Sequence, residues 1–193
     1  MHAIEPFFRW RDDYTAETDE RSPFFGRDYS EFYFENTIYN YYIHPQWDEF
    51  GSATLYVKIL YADYEERFAI LELIGEWNDT IYDDIMVLKR KLVDVLLGNG
   101  IAKFVVIGEN VLNFHGGDDD YYNEWLEDVM DADGWICFVN FQPHVREEMA
   151  AHRLYQYLHF DAPFDDVAWR TFKPEHIALL IEKMLRQQGR ISA

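Results

Sequence analysis

The chain has a single cysteine, Cys137, so no disulfide can form within it. Flanked by Ile136 and Phe138 in a strand-like run, Cys137 reads as a small core residue, and a reducing compartment fits. Cations are scarce: 17 Lys and Arg stand against 36 Asp and Glu, a formal net charge of −19. Such a chain repels phosphate backbones and anionic lipid headgroups, so neither nucleic acid nor a membrane surface is an expected partner. The basic cluster Lys89, Arg90 and Lys91 reads as the solvated face of a helix. Long apolar runs are missing as well. No window approaches the ~18 consecutive apolar residues that span a bilayer, and no basic segment leads into an apolar run at the start. The expectation is a soluble, cytoplasmic protein.

Catalytic signatures are also lacking. Ser22, Ser30, Ser52 and Ser192 have no G-x-S-x-G context. Gly98, Asn99 and Gly100 close a helix instead of opening one, and Gly116 and Gly117 precede three aspartates that would repel a phosphate. There is neither an H-E-x-x-H pair nor the D-x-D-x-D-G rhythm of a calcium loop. His115 with Glu109, Asp118, Asp119 and Asp120 offers competent ligand types, but their spacing matches no established pattern. No metal and no cofactor are expected.

What the chain does have is a hydrophobic share of 49% over 193 residues, enough for one good core. Residues 1–35 form an N-terminal extension in which charges alternate with Phe7, Phe8, Trp10, Tyr14, Phe24, Phe25, Tyr29, Phe32 and Phe34. Disordered tails are poor in aromatics. The segment therefore either wraps the domain with aromatic anchors or presents them to a partner, a second copy of the chain included.

Residues 36–193 read as a single α/β domain. Thr37 to Ile43, Thr54 to Tyr61 and Phe68 to Ile74 have the β-branched and aromatic content of strands, and their short connections predict antiparallel neighbours. The rhythm then changes to strand and helix in alternation. Thr80 is placed to cap a helix with Asp83 at its third position and an apolar stripe of Ile85, Leu88 and Leu92, ended by Gly98 or Gly100. Phe104 to Ile107 is a continuous apolar run, the pattern of a strand covered on both faces. Gly108 to Gly117 supplies turn chemistry, and Asp118 caps a helix with Tyr122, Trp125, Leu126 and Val129 on one face. Trp135 to Phe141 is the next strand, Pro143 starts a helix, and Pro174 starts another whose face is Ile177, Leu180, Ile181, Met184 and Leu185. The expected architecture is a mixed sheet: an N-terminal antiparallel meander feeding a βαβαβα core, with helices mainly on one face.

This order, with the G-E-W-N-D stretch Gly75 to Asp79, the strand Lys103 to Ile107 and the P-x-V-R helix start Pro143 to Arg146, resembles the STAS domain of anti-sigma-factor antagonists and sulfate-transporter tails. The resemblance covers roughly residues 53–160. It implies a non-enzymatic, regulatory interaction module that docks a protein partner through the loop and helix start at 109–121. The partner-binding residues so implied are Glu109, Asn110, Asn113, His115, Gly116, Gly117, Asp118, Asp119 and Tyr121. Where the family has an Asp-Ser-Ser-Gly-like stretch with a phosphorylated serine, this chain reads His115, Gly116, Gly117, Asp118, with no hydroxyl to accept a phosphate. From the residues alone an alternative stands beside it: a small-molecule binder or acid–base enzyme using His115 and nearby carboxylates in a pocket beside the Gly108 loop.

Overall fold

A computed structural model describes residues 3–30 and 32–191. Ser192 lies outside them. The main sheet has four strands in the order β4 (Leu55–Asp63), β5 (Phe68–Asn78), β6 (Lys103–His115), β7 (Trp135–Val139). The β4–β5 pair is antiparallel, whereas β5–β6 and β6–β7 are parallel, so the sheet is mixed as its pattern predicts. Phe104 to Ile107 lies in mid-sheet, paired on both sides and fully buried.

The antiparallel part differs in one respect. Thr37 to Ile43 is not one strand but a hairpin, β2 (Thr37–Ile38) and β3 (Tyr41–Ile43), turning through Tyr39 at φ 51°. With β1 (Ala3–Ile4) it makes a separate small sheet, order β1-β3-β2. Its Ile38 and Ile43 pack with Trp47, Tyr56 and Ile74 against the large sheet.

Apolar side chains alternate between the two faces of the large sheet because strand side chains alternate. On one face Val57, Leu71, Leu73, Phe104, Val106 and Phe138 are covered by three helical units. The first runs unbroken through α1 (Asp84–Leu88), a π-helical turn (Lys89–Val93) and α2 (Asp94–Gly98); the others are α3 (Asp120–Asp131) and α4 (Pro143–Ala151). On the other face Ile70, Val105, Ile107, Cys137 and Val139 meet α5 (Pro174–Gln187) through Ile177, Ile181 and Leu185. Cys137 is a free, fully buried thiol.

The N-terminal segment passes from one face to the other. Trp10 belongs to the α5 side, edge-on to Phe7 at 4.9 Å and to Trp169 at 5.7 Å, while Ala16 and Phe24 belong to the opposite core. Asp48, fully buried, ties the crossing together by accepting from Tyr29 Oη at 2.6 Å, Arg27 at 3.0 Å and Lys58 Nζ at 3.4 Å. Phe8, Phe25, Phe32 and Tyr33 remain exposed.

Four local readings are corrected. β6 continues to His115, so Glu109 to Phe114 is strand and not turn, and β5 likewise runs through the G-E-W-N-D stretch to Asn78. Two register irregularities between them, at Glu72/Ile74 and Gly75/Glu76, let this polar half stay paired. Thr80 does not cap α1. Its Oγ1 donates to the Gly116 carbonyl at 2.7 Å, and the helix starts at Asp84 behind Asp83, which has φ 52°. The cap of α3 is Asp119 and not Asp118. Lys89, finally, is not on a solvated face. At 1% exposure it lies among Asp94, Glu124 and Asp128, bonded to all three. The π turn changes the angular phase of the helix, which is how a residue in a basic run comes to face inward.

Candidate functional site

The predicted site residues fall into two groups along β6. Glu109 and Asn110, half-buried, are engaged from the α5 side of the sheet. Glu109 Oε1 accepts from Asn140 Nδ2 at 2.9 Å and Trp169 Nε1 at 2.8 Å, and its carboxylate is ion-paired with Arg170. Asn110 Nδ2 is 3.5 Å from Glu72 Oε1. The second group, Asn113 to Tyr121, gathers at the far end of β5 and β6. Glu109 is thereby committed elsewhere and is not a partner of His115.

Beneath this second group lies Asp79, buried just past β5. Its Oδ1 accepts from Trp77 Nε1 and from the Ile85 amide, both at 2.8 Å, and its Oδ2 accepts from Tyr122 Oη at 2.7 Å. One carboxylate thus joins the ends of β5, α1 and α3. Burial pushes its pKa up to about 6, against the downward pull of those donors. Its amide donates to the His115 carbonyl at 2.8 Å. Gly117 lies so close above it that an added Cβ would sit 2.8 Å from the Asp79 carbonyl oxygen. A Cβ on Gly116 would fall 2.4 Å from the His152 ring. The two glycines are what allow the loop to be pressed flat onto the frame.

Above that floor the side chains face solvent. His115 is half exposed, its Nε2 3.4 Å from Glu76 Oε1. Asn113 Nδ2 donates to Tyr39 Oη at 2.8 Å, and Tyr39 Oη in turn donates to Glu76. Tyr157 Oη donates to Asp119 Oδ2 at 2.6 Å, while Tyr121 lies under the Arg90 guanidinium at 5.2 Å. Beside these polar groups stand exposed apolar side chains: Ile81 at 71%, with Tyr82 and Tyr39. The site is a shallow apolar and acidic rim on an immobilised loop. The half-exposed His115 imidazole lies beside the Glu76 carboxylate, whose side chain is only 17% exposed.

No family model matches the chain, and no curated protein matches it. Among solved structures it is similar to the anti-sigma factor antagonist SpoIIAA in its unphosphorylated form, at 9% identity and a TM-score of 0.43, over 70% of this chain and 99% of that one. It is also similar to a Thermotoga maritima protein described as an anti-sigma factor antagonist, at 14% identity and a TM-score of 0.39, over 49% of this chain and 80% of that one. Both are similarities of chain path at low identity.

Several members of the rim were not singled out from the sequence. Asp79 was visible as the last letter of G-E-W-N-D, but its burial depends on Tyr122, 43 residues away. Ile81 and Tyr82 form an apolar pair inside an acidic turn, the one local sign that the turn does more than connect. Among the described residues, carboxylates spaced as metal ligands occur at Asp94, Glu124 and Asp128, where Lys89 Nζ already sits 2.7 Å from Asp128 and 3.3 Å from Glu124. No helix among the described residues is long and apolar enough to cross a membrane.

Proposed function

We propose that this chain is a non-enzymatic regulatory module that docks a partner protein through the rim at Asn113 to Tyr121, with Glu109 and Asn110 bracing β6 from behind. The observation that carries the reading is the exposed set Ile81, Tyr82 and Tyr39, beside a loop held by hydrogen bonds from Thr80 and, beneath it, from Tyr122 to Asp79. Exposed apolar groups on a rigid backbone are characteristic of an interface centre, because little ordering entropy is lost on binding. Glu76, Asp118, Asp119 and Asp120 surround it with negative charge in a chain already at −19. The partner it fits presents an apolar centre ringed by Lys or Arg, and such pairing steers association. Two copies of this chain would instead bring like charges together.

The test uses the full chain as bait in extract from its native cell, beside the triple variant Asn113→Ala, His115→Ala, Asp119→Ala and the single variant Ile81→Asp. A stoichiometric protein companion is expected, bound at least ~10-fold more weakly by both variants and weakened by added salt. A companion held with unchanged affinity by both variants overturns the reading. Sedimentation over a concentration range tests the remaining occupant. A dimer abolished by Ile81→Asp would assign the rim to self-association.

A further inference from the structure

A second surface lies where the small sheet meets the N-terminal segment. Ile38 and Ile43 point towards the large sheet, so Thr37 and Tyr42, next to them in sequence and paired with each other across the hairpin, face outward. Phe34 stands edge-on to Tyr42 at 6.2 Å and to His44 at 5.3 Å, which makes a row of rings on that outer face. In the same segment Phe32 and Tyr33 are the most exposed aromatic side chains among the described residues. Bare aromatic surface gathered in this way marks an interaction site.

The row leads to a cavity of about 390 Å³, lined by His44 and within the ~300–1,000 Å³ range of binding pockets. Tyr29, Tyr33 and Trp47 are the aromatic part of its lining, and Asp28, Glu35 and Glu49 are the charged part. Arg27 is the one Lys or Arg in that lining, and it is already committed: it donates to Asp48, which does not line the cavity, at 3.0 Å and to the Glu49 carbonyl at 2.7 Å. Asp28 and Glu35, in contrast, have no hydrogen-bond or ion-pair partner among the described residues. The cavity is therefore short of positive charge. Tyr29 shows what such a lining holds, because Lys58 Nζ lies 3.8 Å from its ring centroid and 3.4 Å from Asp48. A ring and a carboxylate together hold a cation.

We infer that this surface docks an extended, arginine-bearing segment of a partner protein, whose guanidinium enters the cavity to meet Tyr33, Asp28 and Glu35 while the apolar residues beside it lie across Phe34 and Tyr42. A guanidinium suits the place better than an ammonium, since it stacks on rings, pairs with carboxylates in its own plane and is more weakly hydrated. A second copy of this chain is a poor occupant, because it brings another −19 to an acidic surface. The surface belongs to the small sheet and the arm, so the inference does not rest on the rim.

Titration calorimetry of the full chain with the blocked peptide acetyl-Pro-Pro-Arg-Leu-Pro-amide tests it, beside the same peptide with citrulline for arginine, which keeps the shape and loses the charge. The arginine peptide should bind at least ~10-fold more tightly. The double variant Asp28→Asn, Glu35→Gln should weaken its binding about 10-fold and close the gap to citrulline. Phe34→Ala with Tyr42→Ala should weaken both peptides alike, by about 5-fold. All four side chains are exposed, so these changes leave the core intact. Ile81→Asp, at the rim, should leave the titration unchanged. Absence of binding at ~5 mM peptide, equal affinity for arginine and citrulline, or indifference to either double variant overturns the inference. Loss of binding on Ile81→Asp would move the peptide to the rim and overturn it equally.

Discussion

Glu72 and Asp79 lie seven residues apart, both buried, and they are served very differently. Asp79 receives three donors within 2.8 Å. Glu72 receives one close donor, the Phe7 amide at 2.9 Å on Oε2, while its Oε1 has Asn110 at 3.5 Å and Arg170 at 3.9 Å. Burial raises both pKa values, to about 6 for Asp79 and about 7 for Glu72. The better-served carboxylate fastens the floor of the rim; the poorly served one fastens the N-terminal segment. How firmly each region is held follows from how many donors its buried acid has.

The comparison breaks most visibly at Asp79. Asp79→Ala strands the Tyr122 hydroxyl, the Trp77 N–H and the Ile85 amide, and an expected loss of about 3–5 kcal/mol follows from leaving several buried donors unpaired, read by urea unfolding. Next in size is the pH dependence. Glu72 has a folded pKa of about 7 against an ordinary 4.5, so between those values the folded state holds more protons than the unfolded state. Stability is then greatest below pH ~4.5 and falls as pH rises through ~7, by up to about 3 kcal/mol at full shift. Asp79 adds a decline of the same sign between its ordinary 3.8 and about 6. Urea midpoints at pH 5 and pH 8 should therefore favour the acid side, and Glu72→Gln should flatten the part of the slope above pH 6. A third variant, Gly117→Ala, pushes the loop off the Asp79 carbonyl, with an expected cost of about 1–2 kcal/mol in thermal unfolding and weaker partner binding. Smallest is Tyr157→Phe, which removes one exposed bond to Asp119 and should change stability by about 0.5 kcal/mol.

Continuity of apolar residues made parts of this fold readable in the sequence. Phe104 to Ile107 announces a central strand because it is apolar at every position, and the stripe Ile177, Ile181 and Leu185 announces α5 at helical spacing. The second half of β6 has no such signal. Glu109, Asn110 and Asn113 look like loop residues, and they are tolerated in a strand because Trp169, Glu72 and Tyr39 satisfy them from 60, 38 and 74 residues away. Lys89 is hidden for the same reason, since only folding brings Glu124 and Asp128 to it. At the candidate site the glycine pair and the acidic helix start were legible. The apolar members were not, because two adjacent side chains such as Ile81 and Tyr82 have no period to detect.

The crossing of the N-terminal segment past β4 has one more consequence. β4 is an outer strand of the large sheet, touched along its free side by the Asp48 bridge to Val57, and the segment carrying Trp10, Ala16, Tyr29 and Arg27 packs around it. A shortened chain beginning after residue 35 would keep the Asp48 contact but strip the aromatic cover from around β4, and an outer strand so uncovered is a template for edge-to-edge pairing. Turbidity in that fragment, beside a clear solution of the full chain, would identify the aromatic arm as a guard against polymerisation.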